Sequence, residues 1–334
     1  MMQAIQSAHI QNHMRPLDMR RDLYPVADLI EECFANTLDY DGRQYVQRMR
    51  KAAHNRDYMD WFSQSHQKGR IPAGFVWEED GRLVGNLSLI PCTRSLFGFG
   101  EKEHLIANVA VREQYRRRGI AAALTRRAMD VLRSEGANPP WLHVRTENLA
   151  AYNLYRSLGF VERFRRTTWH SATHGEIPTE LLFGCVRPGE QVDIAPRRNQ
   201  DWNRQKLWFE HAYPPDIVWH TRMDSALFQP GLWALFYRSL GDVYLRQWGA
   251  TKDGRLLGFV IWQPTSNYAD NLWLAVNPDY QDEAVQCLLV HLRGRLDVSR
   301  PLALDYPEGW SNQAITSSGF HIHTTLVWMH AKTV

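Results

Sequence analysis

The sequence predicts a mixed α/β fold used twice in tandem, each copy a twisted mixed sheet flanked by helices. Three observations predict it. Apolar runs of strand length alternate with amphipathic stretches through residues 9–171, in the order β-α-α-β-β-β-α-β-α-β. Four segments of the second half echo segments of the first, in the same order. A length of 334 residues, with 44% hydrophobic and 22% charged, suits two globular domains.

The elements follow in order. Residues 9–16 (HIQNHMRP) read as a first strand. Asp22 to Phe34 reads as a helix, because Leu23, Val26, Leu29, Ile30 and Cys33 recur at helical spacing. Residues 42–68 are polar and helical, with Tyr45, Met49 and Trp61 as anchors. In GFVWEEDGRLVGNLSLIP two apolar runs flank Glu79-Asp80-Gly81, a hairpin signal. Residues 104–111 (HLIANVAV) form a buried strand, Arg112 to Arg118 a basic loop, and Gly119 to Glu135 an amphipathic helix. Trp141 to Val144 is a strand, Asn148 to Leu158 a helix stopped by Gly159, and 160–171 a returning strand. Residues 175–190 carry two prolines and three glycines and read as a linker. The expected domains are therefore 1–174 and 191–334.

Composition excludes several classes. The net charge of +3 is too small to imply nucleic-acid binding. No apolar run reaches the roughly 18 residues of a membrane span. The opening MMQAIQSAHIQNHMR lacks the apolar block of a secretory signal. Cys33, Cys92, Cys185 and Cys287 are far apart and form no CxxC pair, which favours reduced thiols and a cytoplasmic setting. GxGxxG after a strand, GxxxxGK[ST], HExxH and GxSxG are all missing. His321 and His323 share one strand face without further plausible ligands, so no metal site is expected.

The stretch richest in chemistry runs from Val109 through Arg116-Arg117-Arg118-Gly119-Ile120-Ala121-Ala122. A strand feeds a basic loop and then a helix. The first turn of a helix leaves backbone N–H groups unpaired at the positive end of its dipole. A diphosphate satisfies both, and small residues let it approach. An exposed basic turn before a core helix is the plainer reading of the charges alone.

The fuller pattern is more specific. Arg-x-x-Gly-x-Ala after a buried strand, followed downstream by Asn148-x-x-Ala151-x-x-Leu154-Tyr155-x-x-x-Gly159-Phe160, resembles the GCN5-related N-acetyltransferase (GNAT) superfamily. The resemblance covers roughly 9–174. It is greatest to the branch that acetylates protein N-termini, in N-V-A-V…R-R-R-G and W-L-x-V-R…N. It implies acetyl-CoA between splayed strands 104–111 and 141–145, with pantetheine along the backbone near Val109 and Val111. It places the pyrophosphate on the amides from Arg117 to Ala122, with Arg116 and Arg118 beside it. It puts Asn148 at the pantetheine or acetyl end and aims the Tyr155 hydroxyl at the sulfur.

The chemistry itself needs a base, because a protonated amine has no lone pair; it needs oxyanion donors and an acid for the leaving thiolate. Tyr155, a phenol of pKa about 10, suits the last role. Many members carry a Glu in the fourth strand, where Leu105 stands here, and the N-terminal branch a fifth-strand Glu in W-L-E-V-R, where His143 stands. His143, of pKa about 6.5, and Glu103 are the two candidate bases; a strand histidine with no chemical role is the alternative. Asp39, Tyr40, Asp41 and Tyr45 either hold a cationic amine or form a solvated loop.

In the second half, Asp282 and Glu283 stand where Arg117 and Arg118 stand, Ile315 where Tyr155 stands, and Glu308 where Asn148 stands. Carboxylates beside a pyrophosphate repel it, so this copy is expected to lack cofactor binding. Nine of the thirteen tryptophans lie beyond residue 200, as a thick core or an aromatic pocket. The leading reading is an acetyl-CoA-dependent N-acetyltransferase acting on a small-molecule or peptide amine, as monomer or homodimer. The alternative is an acyl-CoA-responsive binding module without catalysis.

Overall fold

The computed structural model describes residues 13–55, 71–93, 102–171, 192–219, 225–231, 243–296 and 300–332, with scattered positions from 234 to 239. The linker expected at 175–190, Trp61, Trp233 and residues 9–12 of the first expected strand lie outside the described residues. Two units are resolved: Met1–Phe164 with Val327–Val334, and Arg165–Leu326.

The first unit contains β1 (Met14–Pro16), α1 (Met19–Phe34), α2 (Tyr40–Asn55), β2 (Gly74–Glu79), β3 (Arg82–Thr93), β4 (Lys102–Val111), α3 (Ile120–Ser134), β5 (Trp141–Arg145), α4 (Leu149–Ser157) and the start of β6 (Phe160–Ser171). Helix α1 starts ahead of Asp22 because the Asp18 carboxylate accepts from the Arg20 N–H at 3.0 Å. Asp22 is buried and takes two hydrogen bonds from Arg15, at 2.6 and 2.9 Å. Residues 40–45 are helical rather than a loop, because Asp39 accepts from the Gly42 N–H at 2.8 Å. Asp80 (φ 51°) and Gly81 (φ 75°) make the tight β2–β3 turn whose twist matches its strands.

Alternation along the strands sorts side chains onto two faces. On one, Leu23, Val26, Ile30, Val46 and Met49 of α1 and α2 pack on Val76 and Leu83. On the other, Ile120, Leu124, Ala128 and Leu132 of α3 and Tyr155 of α4 pack with Phe75, Trp77, Ile106, Leu142 and Val144.

The sheet of this unit runs β1-β2-β3-β4-β5, then the end of β12 (Phe320–Ala331), then the start of β6. Val327, Met329 and Ala331 join the α3-side core, and the Ala331 N–H donates to Pro140 O at 3.0 Å. The observed units thus differ from the contiguous 1–174 and 191–334 division. The physical reason is that β6 and β12, each 12 residues long, each give their residues to both units: 160–164 and 327–331 to the first, 165–171 and 320–326 to the second.

The second unit repeats the plan with β7 (Val192–Pro196), α5 (Trp202–Ala212), α6 (Pro215–Val218), β8 (Arg246–Lys252), β9 (Arg255–Gln263), β10 (Asp270–Val276), α7 (Gln281–Arg295), β11 (Leu302–Pro307) and α8 (Asn312–Ser317). Its order is β7-β8-β9-β10-β11, then the second half of β6, then the first half of β12. Trp219, Trp248 and Trp273 are buried in it, and Trp202, Trp208, Trp262 and Trp310 pack against its core.

Met329 is fully buried in the first unit although it stands 165 residues beyond Phe164. Met329→Ala is expected to destabilise that unit by about 2–5 kcal/mol, read as a lower denaturant midpoint at unchanged slope.

Candidate active site

The site begins where two parallel strands part. β4 and β5 pair only at Leu105–Trp141 and Ile106–Leu142. Beyond that point the β5-facing edge of residues 107–111 has no ladder with β5, which is the splaying expected around Val109 and Val111. β4 also kinks there. Asn86 of β3 faces Ala110 and Ser88 faces Ala107, so Asn108 and Val109 together oppose the single residue Leu87. Such a bulge bends the strand and re-aims its backbone. Asn108 has φ 51°, a left-handed conformation that Asn tolerates better than most residues.

Side chains brace the bulge. The fully buried Asn86 donates from Nδ2 to Asn108 O at 2.9 Å and to Ser88 Oγ at 3.3 Å. Asn108 Nδ2 donates to the Tyr45 hydroxyl of α2 at 2.9 Å and to Ser88 Oγ at 3.4 Å. Burial raises the Tyr45 pKa while the Asn108 hydrogen bond opposes the shift. The sequence reading gives Asn86, Ser88 and Asn108 no role at this site. A polar trio in two otherwise apolar runs was the available signal.

The strand then leads to a bare helix start. Arg112 is buried: its Nε donates to Leu83 O at 2.9 Å, and its guanidinium pairs with Glu32. Arg117 (φ 64°) and Gly119 (φ 80°) are both left-handed and turn the chain into α3. A Cβ added at Gly119 would meet nothing within 4 Å, so glycine serves the backbone conformation there. The first backbone bond of α3 runs from the Ala123 N–H to Gly119 O at 2.9 Å, and no side chain caps the helix. The N–H groups of Ile120, Ala121 and Ala122 therefore have no intrahelical acceptor. Arg116, Arg117 and Arg118 are exposed around them. Arg116 Nε donates to Val111 O at 3.1 Å, and Arg118 lies over the Tyr115 ring at 5.0 Å.

The remaining candidates divide between the two faces of β5. Tyr155 is 7% exposed and shares the α3-side core with Leu142 and Val144. Burial pushes its pKa up to about 12. Asn148 caps α4, its Oδ1 accepting from the Ala151 N–H at 3.1 Å. His143 alternates with Leu142 and Val144 and so faces the α1–α2 side, exposed, its ring 4.9 Å from that of Trp328. Arg145 on the same face donates to Thr37 O at 2.8 Å. Glu103 is buried and lies at the opposite end of β4 from the bulge, opposite Cys92. The opening and the bare helix start thus lie at the C-terminal end of β4, with Tyr155 in the core on one side of β5 and His143 on the other, and Glu103 lies at the far end of β4.

The second unit has the same strand pair with the opening filled. β10 and β11 pair from Asp270–Leu302 to Leu272–Leu304, and β10 runs against β9 without a bulge. Beyond the last pair the Tyr213 hydroxyl donates to Asp305 O at 2.9 Å and accepts from the Leu274 N–H at 3.5 Å. Arg166 covers the Tyr213 ring at 4.6 Å, and its Nη2 donates to Asp305 O at 2.7 Å. The first turn of α7 carries Asp282 and Glu283, and Lys252 pairs with Glu283 at 2.7 Å. Ile315 is fully buried.

Residues 30–160 match the model of the acetyltransferase (GNAT) family. The chain is 36% identical over 115 residues to an N-alpha-acetyltransferase of Sulfurisphaera tokodaii, covering 32% of this chain and 66% of that protein. It is 40% identical over 73 residues to the [ribosomal protein bS18]-alanine N-acetyltransferase of Escherichia coli K12, covering 22% of this chain and 49% of that protein. The chain thus spans about half to two thirds of the length of these relatives. A solved tandem GNAT protein from the clavulanic acid biosynthesis pathway superposes with a TM-score of 0.50 at 16% identity, covering 96% of this chain and 99% of that one. Residues 30–160, which hold the parted strands and the uncapped helix, thus form a domain of the acetyltransferase (GNAT) family, and the chain carries two GNAT-like folds in tandem.

Proposed function

We propose that the first unit transfers an acetyl group from acetyl-CoA directly to a primary amine of a small molecule or peptide. The observation that carries this reading is the continuity of the opened β4 edge with the bare start of α3. One ligand fits both: an amide-bearing arm can extend the β4 ladder, and a diphosphate can take the N–H groups of Ile120 to Ala122. Arg117 and Arg118 supply the matching charge. The relatives' names, acetyltransferases acting on amines, support the same reaction class.

The chain's own groups supply each step. His143, exposed on the α1–α2 face, takes a proton from the acceptor ammonium as the amine's lone pair becomes available. A backbone N–H of 109–111 donates to the carbonyl oxygen as it gains charge when the nitrogen attacks. Tyr155, from the opposite face, donates to the departing sulfur as the C–S bond breaks. Burial keeps that phenol protonated, and the same burial raises the proton affinity of a thiolate formed beside it. Tyr213 and Arg166 take up the corresponding backbone groups of the second unit, which supports one cofactor site per chain.

Three measurements test this reading. Thiol release from acetyl-CoA over an amine panel is expected to require acceptor, and Tyr155→Phe to slow turnover about 10- to 100-fold with little change in coenzyme A affinity. Tight binding without acceptor-dependent release would instead make the chain an acyl-CoA-responsive module. Titration calorimetry with coenzyme A is expected to give one site per chain; two sites would overturn the closed second unit. The third is the phenolate absorbance of wild type minus Tyr155→Phe. Because the Tyr155 pKa is raised, the protonated form stabilises the fold up to the unfolded value of about 10, and this stability fades toward 12. The difference signal is therefore expected to be absent at about pH 10, where exposed tyrosines are half ionised.

A further inference from the structure

We infer that Asn108 is a positioning residue, and that its tie to Tyr45 sets the direction of the backbone edge facing the acyl carbonyl; the inference rests on the acetyl-transfer reading. Asn108 is the only non-glycine residue with positive φ among the described residues of β4, and it is one of the two residues in the bulge. A left-handed residue costs roughly 1–2 kcal/mol unless its surroundings hold it. Here they do so from three sides. Asn86 holds the Asn108 carbonyl at 2.9 Å, and Ser88 and Tyr45 hold the side-chain amide at 3.4 and 2.9 Å.

The braces come from different elements. Asn86 and Ser88 belong to β3, within the sheet, whereas Tyr45 belongs to α2, on the face where His143 stands. The helix over the acceptor face therefore bears on the strand that carries the candidate oxyanion donors. The second unit supplies the contrast. Trp273 takes the place of Asn108, counting back from Val276 opposite Val111, and β10 pairs with β9 in unbroken register.

Asn108→Gly, Asn108→Ala, Tyr45→Phe and the Asn108→Gly/Tyr45→Phe double variant test the assignment by steady-state kinetics with the amine that wild type acetylates. Gly tolerates positive φ and Ala does not, so Asn108→Ala is expected to lose about 10- to 100-fold in kcat and Asn108→Gly clearly less. A side chain that only fills space predicts the reverse order, since Ala replaces more volume. KM for acetyl-CoA is expected to stay within about two-fold, since binding along the rest of the edge and at α3 is untouched. Tyr45→Phe is expected to lower kcat about three- to ten-fold alone and to add nothing to Asn108→Gly, because the tie is already gone. Should Asn108→Ala fail to fold, this double-variant cycle decides. Additive effects, or kcat of Asn108→Ala at or above that of Asn108→Gly, would overturn the inference while wild-type turnover leaves the acetyl-transfer reading intact. Wild type that releases no thiol with any amine removes both.

Discussion

The parting of β4 from β5 after a two-residue ladder is the constraint around which the first unit is arranged. Sheet strands that separate leave backbone groups without partners, and such groups are costly when kept from water. The fold tolerates the gap because apolar layers hold both faces of the sheet, with α1 and α2 on one side and α3 and α4 on the other. The bulge at Asn108 and the left-handed pair Arg117 and Gly119 are local costs of the same kind. They lie at the strand edge and the helix start that a ligand would satisfy, which is where stored backbone strain tends to collect.

The two units handle the gap differently. In the second, Tyr213 reaches between the strands and meets Leu274 N–H and Asp305 O, and Arg166 closes over its ring. A protein side chain thus occupies the place that, under the proposed function, an extended ligand takes in the first unit, and the helix that follows carries carboxylates at its positive end. Burial raises the pKa of both Tyr213 and Tyr306, as expected of phenols sealed in a core. The same topology therefore yields an open edge in one copy and a closed core in the other.

The strand β5 also separates candidate groups in space. Leu142 and Val144 face the layer that holds Tyr155, and His143 faces the opposite one. Under the proposed reaction, the groups handling the acceptor's proton and the leaving sulfur approach from opposite sides of the opening. Trp328 of β12 lines the His143 side, so an element remote in sequence shapes the face to which the proposed reaction brings the acceptor.

Much of this was legible in the sequence. Helical spacing placed α1 and α3, the Asp80-Gly81 turn placed the first hairpin, and the Arg-x-x-Gly-x-Ala and Asn148-to-Phe160 patterns located the helix start and Tyr155. Those features are local: spacing, turn chemistry and small residues act within a few positions of one another. Tertiary structure decided what depends on distant partners. It put the end of β12 in the first unit, because a strand pairs through its backbone, whose groups are the same at every non-proline residue. It made Asn108 a braced bulge, because Asn86, Ser88 and Tyr45 meet it only once β3 and α2 are packed. It filled the second opening with Tyr213, which follows α5 and meets the Leu274 N–H and Asp305 O only once the strands are packed. The sequence by itself determined the elements and the chemistry available; packing alone determined which of those groups meet.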